Sequence, residues 1–230
     1  MPENQSHIPM PQTPMLQEIS PGNLLNPTSD LMERWTFIQE LAGPIGANAI
    51  LARDKAETDH LTGLLDRNGL KDRLAQLNAN SNVNPEDISL VFIDLDNFKA
   101  VNDRSTGRHE TGDEVLVEFG KFLKSLELRS GEVAARWGGD EFCIVINTNN
   151  PHNGKRNPAI SKEEAIKGFT QRINDKIRDI AIRIGIPELG VSYGIVDHKP
   201  GEKVNDFIAR ADREMYAMKE QKKQSNLDNL

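Results

Sequence analysis

Cysteine is nearly absent from these 230 residues: Cys143 stands alone, which excludes an internal disulfide and fits a reducing compartment. Positive charge is in deficit. Lysine and arginine number 28 against 35 aspartate and glutamate, a formal net charge of -7. A surface of that sign argues against non-specific binding to nucleic acid or to an anionic membrane, both of which need a basic face. A polyphosphate partner would have to be neutralised locally, by metal ions or a few placed lysines. Long apolar runs are missing too, and none approaches the ~20 residues that span a bilayer. The N-terminus lacks a basic segment followed by an apolar stretch. A cytoplasmic location is the expectation. What remains, at 37% hydrophobic and 27% charged, suits one domain with a real core plus an appendage.

Residues 1–29 hold six of the twelve prolines and two charged side chains, Glu3 and Glu18. Proline at that density blocks helix and sheet pairing, so a flexible tail is expected. Across residues 30–58 the pattern changes. Leu31, Trp35, Ile38, Ala42, Ile45, Ala49, Ala52 and Ala56 recur at steps of four and three, a heptad seam. Gly43-Pro44 interrupts it with a kink or a break. The seam fits either a helix lying on its own domain or one positioning a dimer. Alanine at half its positions makes for weak packing.

From there helices and strands alternate. Helical spacing covers residues 69–77, 111–128, 163–182 and 204–219, and strand patterns cover 88–96, 132–137, 141–146 and 189–196. The 88–96 run is apolar enough for a buried central strand. Gly138-Gly139 joins two short strands as a hairpin, and residues 147–162 are rich in Asn, Pro and Gly and read as a loop. The fold class is α/β in the α+β sense, with helices against a sheet.

Two acidic clusters carry the chemistry. Asp94-Leu95-Asp96 ends the central strand, and Asp140-Glu141 sits at the tip of the Gly-Gly hairpin. Burying carboxylates is costly unless they are paired or bind metal, and glycines let backbone approach a ligand closely. Oxygen-only clusters suit hard cations such as Mg²⁺, which bind one or two carboxylates plus substrate phosphates. Metal-assisted phosphoryl chemistry is the proposal these residues raise. Taken singly, each cluster also fits a solvated acidic turn.

Arg136-Trp-Gly-Gly-Asp-Glu-Phe142 contains the five-residue signature of GGDEF domains, and other segments resemble that family in order. Asp59-His-Leu-Thr-Gly-Leu64 is similar to its opening motif. Phe92-Ile-Asp-Leu-Asp-Asn-Phe-Lys99, Asn102-Asp103 and Gly112-Asp113 resemble its nucleotide-binding block. Val191-Ser-Tyr-Gly194, then Ala211-Asp212, Tyr216 and Lys219, resemble its closing strand and helix. The resemblance runs over residues 59–223, leaving 224–230 as a C-terminal tail, and implies a palm-like fold similar to that of polymerases and adenylyl cyclases. A central, mostly antiparallel sheet is then flanked by helices.

That resemblance implies a diguanylate cyclase, condensing two GTP into cyclic di-GMP at a homodimer interface. Asp94, Asp140 and the Leu95 carbonyl would hold two Mg²⁺ or Mn²⁺ ions per site. Asp140 would assist deprotonation of the 3′-hydroxyl, with Glu141 in support and Lys99 and Lys219 meeting phosphates. Asn102 and Asp113 would read guanine, with Phe98 and His109 beside the substrate. Asp113 favours GTP over ATP, because a carboxylate accepts from both donors on guanine's Watson–Crick edge. Several positions depart from the family pattern. The segment 104–109 is two residues longer than usual, Asp66 stands for asparagine, and Lys222-Lys223 replaces a Gly-Arg pair. Lys223 keeps a charge for the terminal phosphate but loses the bidentate fork. Arg129 and Glu132 match an Arg-x-x-Asp product-inhibition motif with an acid one methylene longer, so weak feedback is expected. The alternatives are a GGDEF domain that binds GTP or cyclic di-GMP without turnover, or an adaptor whose tail docks a partner. A regulatory protein would act through residues 1–58.

Overall fold

The computed structural model describes residue 43 and residues 57–80, 83–104, 110–126, 132–147 and 162–228. The proline-rich tail, the seam positions from Leu31 to Ala56, His109, Arg129 and the loop 148–161 lie outside the described residues. Helix α1 spans Arg67–Ala79. Its N-cap is Asp66, whose carboxylate accepts the Asn68 and Gly69 amides, both at 2.8 Å. Aspartate there does the capping work asparagine would do.

Strand β1 (Ile88–Asp96) is buried at every position but the last. It leaves through Asn97, whose φ of 62° asparagine tolerates better than most residues, into helix α2 (Phe98–Arg104). Helix α3 is Glu110–Ser125, strands β2 and β3 are Val133–Gly138 and Glu141–Asn147, and α4 is Lys162–Ile184. Strand β4 (Gly190–Asp197) and helix α5 (Val204–Asp228) complete the fold. Helix α2 has no counterpart in the periodicity, because seven residues are too few to register a period. Helix α5 outruns its last apolar periodic position: Glu220-Gln-Lys-Lys-Gln224 are good helix formers that bury little.

The sheet order is β2-β3-β1-β4, and every neighbouring pair is antiparallel. Strands β1 and β2 are therefore parallel across β3, joined by α2 and α3, and β3 and β4 are parallel across β1, joined by α4. This is the split β-α-β arrangement, whose right-handed crossovers put both connections on one face. The packing agrees. Val91, Ile93 and Leu95 face Val101, Val115, Phe119, Leu123 and Ile173 in one core. Leu90 and Phe92 face Leu70 and Leu74 of α1 and Phe207, Ala211 and Met215 of α5 in the other. A strand covered on both sides needs a continuous apolar run. Side-chain alternation then puts Asp94 and Asp96 on the face that α5 covers. Among the described residues no helix is long and apolar enough to cross a membrane.

Helix α5 lies tightly on β4. A Cβ at Gly194 would come within 2.1 Å of the Ala211 carbonyl oxygen and 2.3 Å of the Met215 amide nitrogen. Backbone cannot step aside as a flexible side chain can. Gly194→Ala is expected to push α5 outward and cost at least about 2 kcal/mol, as in overpacked cores. A lower urea midpoint would show it, and an unchanged midpoint would contradict the close packing.

Candidate active site

Strand pairing and one turn gather the acidic residues at the end of β1. The β1–β3 register sets Glu141 directly across from Asp94. Asp140 occupies the Gly138-Gly139 turn, and its carbonyl accepts the Leu95 amide at 3.2 Å, which ties the turn to β1. Gly139 sits at φ 54°, a left-handed conformation that strains other side chains. From α5, the Lys219 ammonium reaches Asp94 Oδ1 at 2.5 Å. Leu95 and Asp94 are both buried.

The charges strain one another. Burial, then the neighbouring Asp94, raises the Asp140 carboxyl above its ordinary value. Burial does the same to Glu141, reinforced by Asp94, Asp212 and Asp140. Lys219 works in the opposite direction on both. One turn further along α5, Lys222 reaches Asp96 Oδ2 at 3.1 Å and donates to the Val191 carbonyl. The Ser192 hydroxyl lies 2.8 Å from each Asp96 carboxylate oxygen.

Arg136 braces the turn from behind. Its Nε and one terminal nitrogen donate to the Gly139 carbonyl at 3.0 and 2.8 Å, and the other terminal nitrogen reaches the Asp59 carboxylate at 3.2 and 3.3 Å. Asp59 also accepts from the Thr62 amide and hydroxyl at 2.9 and 2.7 Å. Burial alone would raise the Asp59 carboxyl, but the hydrogen bonds from Thr62 and the Arg136 charge outweigh it and hold it below its ordinary value. An acid depressed in the folded state stabilises the fold above its unfolded pKa of about 3.9, and that stability is lost as pH falls through the folded value. Asp59→Asn should therefore lower the melting temperature at neutral pH and shrink the further loss seen on acidification below pH ~4. An acid limb identical to wild type would contradict this.

A second group forms where α2 meets α3. A Cβ at Gly112 would meet Asn102 Oδ1 at 2.1 Å and the Phe98 ring at 3.3 Å, so glycine is what lets these two side chains close on α3. Asn102 is half-buried, while Lys99 and Asp113 are exposed. Lys223 is not brought to either group: its ammonium pairs with Glu220 at 2.6 Å and both side chains point outward. Glu132 accepts the Asn147 amide at 3.2 Å. Sequence reasoning does not single out Arg136, Asp59 and Lys222 as interacting groups. Arg136 and Asp59 carry complementary charges in two of the family-like motifs. Lys222, one turn after Lys219, has the helical spacing of a second inward cation.

Among the described residues, no group of three or more His, Cys, Asp or Glu side chains converges as a ready cation cage. The residues nonetheless fit a hard divalent ion. Asp94 and Asp140 repel one another, both offer oxygen, and the cation that now meets Asp94 is an ammonium. Mg²⁺ asks for one or two carboxylates with the rest of its shell from phosphate and water, rather than a cage.

A family profile described as "Diguanylate cyclase, GGDEF domain" matches residues 56–225. Diguanylate cyclase DgcP of Escherichia coli K12 is 35% identical over 184 residues, covering 78% of this chain and 49% of the relative. Cyclic di-GMP phosphodiesterase PdeR of the same organism is 30% identical over 168 residues, 72% of this chain and 23% of the relative. The chain thus spans about half or less of the length of these curated relatives. The crystal structure of diguanylate cyclase SiaD in complex with its activator SiaC, from Pseudomonas aeruginosa, superposes with a TM-score of 0.60. It is 29% identical over 83% of this chain and 68% of that one. With the profile matching most of its length, on a fold shared with a solved cyclase, the chain belongs to the GGDEF diguanylate cyclase family.

Proposed function

We propose that the protein is a diguanylate cyclase that joins two GTP molecules into cyclic di-GMP and releases two pyrophosphates. The observation that carries this reading is the carboxylate group itself. Asp94, Asp140 and Glu141 are held together at the end of a buried strand against their mutual repulsion, with Lys219 bonded to Asp94. Such an arrangement costs stability and is the kind kept for function.

In this reading Asp94, Asp140 and the Leu95 carbonyl hold Mg²⁺ or Mn²⁺, which when bound neutralises the triphosphate and acidifies the attacking hydroxyl. Asp140, held in the turn beside Asp94 with its carboxyl raised by burial and then by Asp94, takes the 3′-hydroxyl proton. The 3′-oxygen forms its bond to the α-phosphorus as the bond to the β-phosphate oxygen breaks, and pyrophosphate carries away the electron pair. Phe98, Asn102 and Asp113 receive the guanine. Lys99 and Lys219 meet the phosphates, and Glu141 supports the acidic group.

One site holds one GTP, and the product is two-fold symmetric, so two copies face each other as an isologous dimer. The segment 30–58 is the candidate for positioning them. As SiaD was solved with an activator, a regulatory partner acting through residues 1–58 belongs to this reading. Weak product feedback follows from a Glu132 already engaged by the Asn147 amide.

A second reading, a GGDEF domain that binds nucleotide without turnover, is favoured by two observations. Lys223 is turned away from the site, and a similar segment lies within a protein named for phosphodiesterase activity. Pyrophosphate release separates the two. The cyclase reading expects release with GTP and Mg²⁺ but not with ATP, at a rate per protomer that rises with protein concentration. GTP binding with no pyrophosphate at any concentration would favour the binding module.

A further inference from the structure

Asp94 and Asp96 leave β1 on the same face, and α5 answers them with lysines one turn apart. The two pairs are held differently. Lys222 is fastened twice, to Asp96 at 3.1 Å and to the Val191 carbonyl, and Asp96 is itself held by Ser192 at 2.8 Å. Among the described residues, the Lys219 ammonium has Asp94 as its hydrogen-bond partner, at 2.5 Å. Asp94 is nearly inaccessible, its side chain 10% exposed, with Glu141 across the strand pair and the Asp140 turn beside it. Buried carboxylates crowded together need a cation, and here an ammonium supplies it.

We propose that Lys219 is an exchangeable counter-ion: it takes the divalent cation's place on Asp94 in the nucleotide-free protein, and a metal–triphosphate displaces it. This rests on the reading of Asp94 as a metal ligand. An ammonium within hydrogen-bond distance of Oδ1 and a divalent ion on the same carboxylate compete for the same lone pairs, and two cations so close repel. The flexible four-carbon stem of Lys219 lets the ammonium swing away without moving α5, which Lys222 keeps fastened to β1 and β4. A bare divalent ion must displace the ammonium with nothing in return. A metal carrying a triphosphate offers the released ammonium a phosphate oxygen, so the exchange favours metal that arrives with nucleotide.

The test is Mn²⁺ titration of the nucleotide-free full-length chain, with free Mn²⁺ read by electron paramagnetic resonance. Lys219→Met should tighten Mn²⁺ binding by about fivefold or more, the equivalent of losing one competing ion pair. Lys219→Arg, which keeps the charge, should stay near wild type. Lys223→Met, which removes a charge from the same helix where it pairs outward with Glu220, serves as the control for a general loss of positive charge and should gain less than about twofold. Exchange is overturned if Lys219→Met binds Mn²⁺ no more tightly than wild type, or if Lys223→Met gains as much. Asp94→Asn separates the two levels. Mn²⁺ binding lost in Asp94→Asn, with no gain in Lys219→Met, overturns exchange alone. Mn²⁺ binding at wild-type strength in Asp94→Asn overturns the metal assignment beneath it.

Discussion

Asp140→Ala is expected to lower kcat on GTP by at least about 10³-fold, the scale seen when charge stabilisation at a phosphoryl-transfer centre is removed. The same change should leave the folded protein as stable as wild type or more so. An acid whose folded pKa is raised holds its proton more tightly folded than unfolded, so keeping it ionised at pH 7 costs stability. Asp140 is such an acid, raised by burial and then by Asp94. Its carbonyl bond to the Leu95 amide belongs to the backbone and survives substitution. Turnover and thermal melting, measured on one preparation, should move apart: rate lost, stability kept. A fall of less than tenfold would remove Asp140 from the reaction, and a collapse in melting temperature would recast it as structural.

Asp113→Ala should cost about 10²-fold in kcat/KM for GTP and narrow the preference for GTP over ATP in competition binding. A carboxylate accepting from two donors on guanine is a charge-assisted pair worth about 1.5–3 kcal/mol. A site built for those donors rejects adenine because its acid would be left unpaired. Asp113 is exposed, so its removal should hardly affect stability. Gly112→Ala should weaken GTP binding by a different route, because the added Cβ collides with Asn102 Oδ1. Unchanged discrimination in Asp113→Ala would move base recognition elsewhere.

How far the sequence reaches is clearest at β1. Its residues stand out as a strand because burial on both faces demands an apolar run, here Leu90–Ile93 with Leu95, and Asp94 and Asp96 interrupt that run at its end. The hairpin of β2 and β3 is equally plain, since Gly138-Gly139 can hardly be anything but a turn between apolar stretches. Helix α2 escaped because seven residues, about two turns, are too few to register a period. Partner choice also escaped. Lys222 and Lys223 are identical in type and adjacent, and only the rotation of α5 about its axis sends one to Asp96 and the other to Glu220. Rotation of that kind is set by packing, here by the contact of α5 backbone with Gly194. The Asp59–Arg136 bond joins residues far apart in the chain, through a bridge in which Leu65 pairs with Ala135. No local pattern announces such a contact.

Identifying the product decides whether the protein turns GTP over. Purified protein is incubated with GTP and Mg²⁺ beside Asp140→Ala, and the nucleotides are resolved by chromatography and weighed by mass spectrometry. Cyclic di-GMP is expected from the wild type, with two pyrophosphates per molecule formed, and none above background from the variant. Bound GTP that stays intact in both proteins at high concentration would rule out the cyclase reaction.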